Sequence, residues 1–135
     1  VVTADHGMLD VPAEGRVDLA DHPELATDVQ MLGGEARARH VYVQPGAEAD
    51  VAAAWRAGLG DGAWVGLRDE AIEMGWFGPE VRGDVRPRIG DVVMAASAPV
   101  GVFQRHVDPA QARLLGHHGS LTPDEALVPF LVVPR

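Results

Sequence analysis

Two stretches of this sequence combine residue types that bind metal ions. Near the start, Thr3-Ala4-Asp5-His6-Gly7-Met8 sets a carboxylate beside an imidazole. Near the end, Gly116-His117-His118-Gly119 sets two imidazoles between glycines. Imidazole and carboxylate are the zinc ligands that remain when thiolate is absent, and the chain has no cysteine. Gly7 permits an unusual backbone angle or a close approach, so that Asp5 and His6 can both face one site. Each stretch also has a plainer reading. Asp5 could cap a turn with His6 solvated, and His117 and His118 could be exposed loop residues. Taken singly, His22, His40 and His106 read as surface or satisfied polar residues.

Elements must position these groups. The apolar run 1–4 reads as a buried strand that ends at the Asp-His pair, and loops held by a rigid sheet are where chemistry tends to sit. Residues 10–40 are irregular, with a possible short strand in 15–20. Val41, Tyr42 and Val43 form a strand closed by Pro45-Gly46. In the helix that follows, Glu48 and Asp50 occupy the first turn and Gly60 the C-terminal cap. Val51, Trp55 and Leu59 make one apolar stripe facing a sheet. Residues 63–67 form a strand, 68–75 a short helix and 78–90 a loop. Residues 91–97 and 99–104 read as two antiparallel strands, with Pro99 restricting the second to an edge or a strand start. Asp108-Pro109 suits a helix start, and Thr122 with Glu125 forms a capping box with Pro123 in the first helical position. A buried strand over 130–133 finishes the pattern. The expected fold is α/β, with strands 1–4 and 130–133 in one larger sheet. Residues 35–105 form an inserted β-α-β-α subdomain between two metal-motif-bearing segments, 1–34 and 106–135.

Composition limits the partners. Eleven basic against twenty acidic residues leave a formal charge of −9, which argues against a phosphate-backbone footprint on nucleic acid and against adhesion to an anionic membrane. No apolar run has the length of a membrane span and no signal-peptide pattern is present. The compartment stays open, the cytoplasm being favoured. The sequence lacks an initiator Met and begins inside an apparent core strand, as a fragment would.

The two motifs together resemble one family. Residues 3–8 are similar to the second metal-binding motif of the alkaline phosphatase superfamily. Met8 after the glycine is similar to the type I phosphodiesterase/nucleotide pyrophosphatase branch, where mutases more often carry Asn and sulfatases Glu. Gly116-His117-His118-Gly119 resembles the segment that donates that branch's last metal-binding histidine, and residues 118–129 resemble actinobacterial members. The resemblance implies an alkaline-phosphatase-like α/β sandwich of which this chain is the C-terminal part. It implies two zinc ions, with manganese as the alternative, Asp5 and His6 holding one and His118 the other. His117 then fills a variable slot as an exposed neighbour. The covalent Thr or Ser nucleophile, an early Asp and an Asp-x-x-x-His are expected upstream of Val1, in a partner region of the same protein. Half a site should be inactive alone. The implied substrate is a small phosphoester or nucleotide, with Trp76 and Phe77 as candidate stacking groups. Arg37, Arg39, Arg82, Arg86 and Arg88 are expected to pair with carboxylates. The rival readings are a non-catalytic acidic α/β binding module, and a mutase or sulfatase relative.

Overall fold

The computed structural model describes residues 1–134. Two short strands, β1 (Val2–Thr3) and β2 (Leu9–Asp10), flank the Asp-His-Gly loop. Strand β3 (Arg16–Asp18) and the one-turn helix α1 (Pro23–Ala26) lead to a hairpin of β4 (Val29–Glu35) and β5 (Ala38–Val43). Helix α2 (Glu48–Leu59), β6 (Ala63–Leu67) and α3 (Arg68–Glu73) follow. A long loop then returns to β7 (Val92–Ala96) and β8 (Gly101–Phe103). The chain continues through β9 (Gly116–His117), α4 (Pro123–Ala126) and β10 (Phe130–Leu131).

A four-stranded sheet in the order β4-β5-β7-β6, antiparallel at every pairing, is the frame. Its core comes from helical spacing: Val51, Trp55 and Leu59 of α2 are all buried, packed with Val41, Val92 and Met94. Trp55 is fully enclosed and its indole N–H donates to the Leu25 carbonyl at 3.0 Å, so the ring fills the core without stranding its polar atom. Strand β7 is buried along its whole length. Val92, Met94 and Ala96 meet α2's side, while Val93 packs with Ala71 and Ile89 on the other. That explains its unbroken apolar run, because both faces need apolar side chains.

Several expectations change. Strand β8 does not pair with β7; it runs parallel to β3, Arg16 opposite Gly101 and Asp18 opposite Phe103. The residues between β7 and β8 are drawn aside: Ser97 and Ala98 donate their N–H groups to the Gly62 carbonyl, and Arg37 binds the carbonyls of Ala98 and Val100. Asp108-Pro109 opens no α-helix, only a 3-10 turn over Gln111–Arg113, with Asp108 accepting the Gln111 N–H at 2.9 Å. The two end strands do pair, antiparallel, Val2 with Leu131 and Thr3 with Phe130. They are exposed, however, not buried: Val2 is 57% accessible and Phe130 71%. Pairing satisfies the backbone groups that face across the two strands, while most of the surface of these side chains stays open.

Candidate metal centre

Three contacts bring the chain's two ends together. Strand β2 pairs with β9, Leu9 opposite His117. Strand β1 pairs with β10. The Gly7 N–H donates to the Glu125 carbonyl at 2.8 Å. The last contact needs glycine: a Cβ on residue 7 would sit 1.8 Å from the Asp124 carbonyl oxygen. Close approach, rather than an unusual angle, is thus the reason for Gly7. Gly119, beside His118, is different, with φ at +110° and so in the region that favours glycine.

The result is convergence. The rings of His6 and His118 stack, centroids 3.7 Å apart and planes 12° from parallel. His6 Nδ1 lies 2.7 Å from the Gly7 carbonyl oxygen. A carbonyl only accepts, so in the neutral ring Nδ1 carries the hydrogen and Nε2 presents a lone pair. A backbone carbonyl on the far ring nitrogen is how metal-binding histidines are usually oriented. Asp5 Oδ1 accepts the His6 N–H at 3.0 Å, which leaves Oδ2 free, 3.8 Å from His6 Nε2. The Asp5 carboxyl is held below its ordinary value by its own N–H and that of His6, and then by the nearby imidazoles. Asp5 is therefore ionised at neutral pH.

Carboxylate and imidazole are donor types that zinc accepts. Two atoms bound at about 2.0–2.1 Å to one tetrahedral ion stand about 3.3 Å apart, so Asp5 Oδ2 and His6 Nε2, 3.8 Å apart, would have to draw together to share one. The set is incomplete, because among the described residues no three His, Asp or Glu side chains close on one point.

His117 is a correction. It is buried, 3% accessible, rather than an exposed neighbour. Its Nε2 donates to the Leu114 carbonyl at 3.1 Å and its ring meets Phe103 edge-on at 5.1 Å. Burial pushes its pKa down, keeping the ring neutral. Its neighbour His118 alone turns to His6.

Glu125 was expected in a capping box but serves elsewhere. Thr122 donates its hydroxyl to the Glu125 carboxylate instead of accepting from the helix. The same carboxylate takes a two-pronged bond from Arg37, Nε to Oε1 and Nη2 to Oε2, both 2.8 Å. Burial pushes the Glu125 carboxyl up, but these bonds and the Ser120 N–H outweigh it and hold the group below its ordinary value. Arg82 and Arg86 pair with Asp84 and Asp69 as expected. Arg39 instead serves the carbonyls of Val102 and Gly34 and the Gln111 side chain. Among the described residues Arg88 makes no ion pair; Phe77 and His40, in aromatic contact at 5.7 Å, line a cavity of about 400 Å³ with it. Trp76 packs beside Ala71 and Ile89.

One Asp-x-x-x-His spacing does fall inside the chain, Asp18 to His22, against the expectation that it lies upstream. Its groups are taken. Asp18 accepts the N–H groups of Ala20 and Arg105, each at 2.9 Å, and His22 pairs with Glu24.

The fold has counterparts among known structures. The human ectonucleotide pyrophosphatase/phosphodiesterase 5 structure superimposes with a TM-score of 0.66 at 20% identity, over 91% of this chain. An inactive form of the murine protein in complex with AMP gives 0.68 at 20% identity over 94%. Phosphonoacetate hydrolase from Sinorhizobium meliloti, in complex with phosphonoacetate, gives 0.59 at 25% identity over 96%. The chain spans only 30%, 31% and 34% of those three proteins, respectively. No curated protein sequence matches. The fold is the α/β fold of these alkaline-phosphatase-like hydrolases. The family model for type I phosphodiesterase / nucleotide pyrophosphatase matches residues 1–121, a span that begins before the Asp-His-Gly loop and ends beyond His118. The two loops that meet here are thus matched within one family, and the chain belongs to the type I phosphodiesterase / nucleotide pyrophosphatase family.

Proposed function

We propose that this chain supplies part of the two-metal centre of a phosphoester hydrolase acting on a small phosphodiester or nucleotide. The carrying observation is the stacking of His6 on His118 from opposite ends of the sequence. Asp5 and His6 hold one zinc and His118 the second, manganese being the alternative. Bound there, paired cations stabilise the attacking and leaving oxygens of an in-line displacement.

The chain's own residues set the geometry and the charge. The Gly7 carbonyl fixes the His6 tautomer, and the His6 N–H fixes the Asp5 carboxylate, so both donors are oriented beforehand. The remaining ligands and the Thr or Ser nucleophile come from the upstream partner region of the same protein. The exposed apolar side chains of Val1, Val2, Phe130 and Leu131 support this, since strands of a larger sheet lose water only when neighbouring elements cover them. Residues 35–105 are an insertion beside the site. Phe77, with the His40 cavity, is its candidate for contact with the leaving group; Trp76 is a packing residue that supports the same wall.

The test uses the complete protein with bis(p-nitrophenyl) phosphate and metal analysis. His6→Ala and His118→Ala should each abolish hydrolysis and lower bound zinc, while His22→Ala and His106→Ala retain both. Full activity in both His6→Ala and His118→Ala would reject the proposal.

A further inference from the structure

Arg37 and Glu125 form a buried ion pair that neither metal motif contains. Their side chains are 0% and 1% accessible. Every polar atom of the pair is used. Arg37 gives Nε and Nη2 to the carboxylate and Nη1 to the carbonyls of Ala98 and Val100, at 2.7 and 2.9 Å. Glu125 Oε1 also accepts the Ser120 N–H at 3.0 Å, and Oε2 accepts the Thr122 hydroxyl.

Such a pair is poorly explained by stability. Taking two charges out of water is expensive, and well-packed apolar side chains in the same space often do as well or better. What the pair does supply is direction, because a guanidinium fork on a carboxylate fixes orientation in a plane.

The direction matters because of what Glu125 holds at its other atoms. Its backbone carbonyl takes the N–H of Gly7, the residue after His6. Its carboxylate takes the N–H of Ser120, two residues after His118. Ser120 is fixed again through its hydroxyl, which donates to the Ala96 carbonyl at 2.6 Å on β7. One residue thus grips both histidine loops, and Arg37 ties that residue to the central sheet through the turn between β4 and β5.

We infer that Arg37 and Glu125 are positioning residues that set His6 against His118 for metal binding. This inference rests on the proposed two-metal reading. Outer partners of metal ligands commonly change affinity or activity by about 10–100-fold when lost.

The experiment compares the complete protein with the double variant Arg37→Met/Glu125→Leu. Zinc affinity is measured by competition with a chromogenic chelator, alongside melting temperature, kcat and KM. The apolar pair should melt within a few degrees of the parent, bind zinc about 10–100-fold more weakly and lose kcat more than KM. A stable double variant with parental zinc affinity overturns the inference. Should it fail to fold, Arg37→Lys decides. It keeps the charge and drops the fork, so zinc affinity should fall by about tenfold; unchanged affinity overturns the inference. A parent that binds no zinc is a different result, because it removes the two-metal reading itself.

Discussion

His117 and His118 sit side by side in sequence and face opposite environments. His118 stacks on His6, while His117 is enclosed between the Leu114 carbonyl and the Phe103 ring. Truncating His117 leaves that carbonyl unpaired and a void against Phe103, so His117→Ala should cost about 1–3 kcal/mol of stability. It should keep zinc binding and turnover per folded molecule. His118→Ala should show the reverse, an intact melt with lost metal. Thermal denaturation with zinc analysis on both variants separates the two roles, and loss of metal in a well-folded His117→Ala protein would exchange them. The register that singles out His118 was legible in the sequence because it rests on a motif. The burial of His117 was not, since it depends on Phe103 arriving from β8.

Elements defined by local rules were readable, and those defined by distant partners were not. The α2 stripe needs only helical spacing, and Val51, Trp55 and Leu59 are buried as that spacing predicts. Strand β8 reads as a hairpin partner of β7 because the two are close in sequence. It pairs instead with β3, distant in sequence, and the turn before it is held by Arg37 on the carbonyls of Ala98 and Val100, contacts no local pattern encodes. The candidate site divides the same way. Asp5, His6 and His118 are visible as residue types, whereas the Glu125 node is hidden behind a sequence that reads as an ordinary capping box. Gly7 offers a test at this scale. A methyl group there collides with the Asp124 carbonyl, so Gly7→Ala must push the β1–β2 loop off α4. Expected are a loss of about 1–3 kcal/mol from overpacking and zinc binding weakened by tenfold or more. An Ala variant with parental melting and zinc affinity would mean that the loop is free to move without consequence.

At the scale of the whole molecule, the apolar surface is unevenly placed. Val1, Val2, Phe130, Leu131, Val132 and Val133 are all more than half accessible, and they lie on or beside the strand pair β1 with β10, next to the His6 loop. The four-stranded sheet has its own core and does not use these side chains. Their exposure is therefore separable from the stability of the rest, and the two contexts predict opposite outcomes for one substitution. In the 135-residue chain alone, Phe130→Glu/Leu131→Glu should leave the melt of the central sheet unchanged and reduce self-association, because the charges replace wet apolar surface. In the complete protein the same pair of charges should destabilise by several kcal/mol, since two carboxylates would be buried without partners. Sedimentation and thermal melts of both proteins, with and without the substitutions, read this directly. A complete protein that accepts both glutamates with parental stability would show that the β1–β10 face is solvated, and would reject the proposed cover of that face by an upstream region.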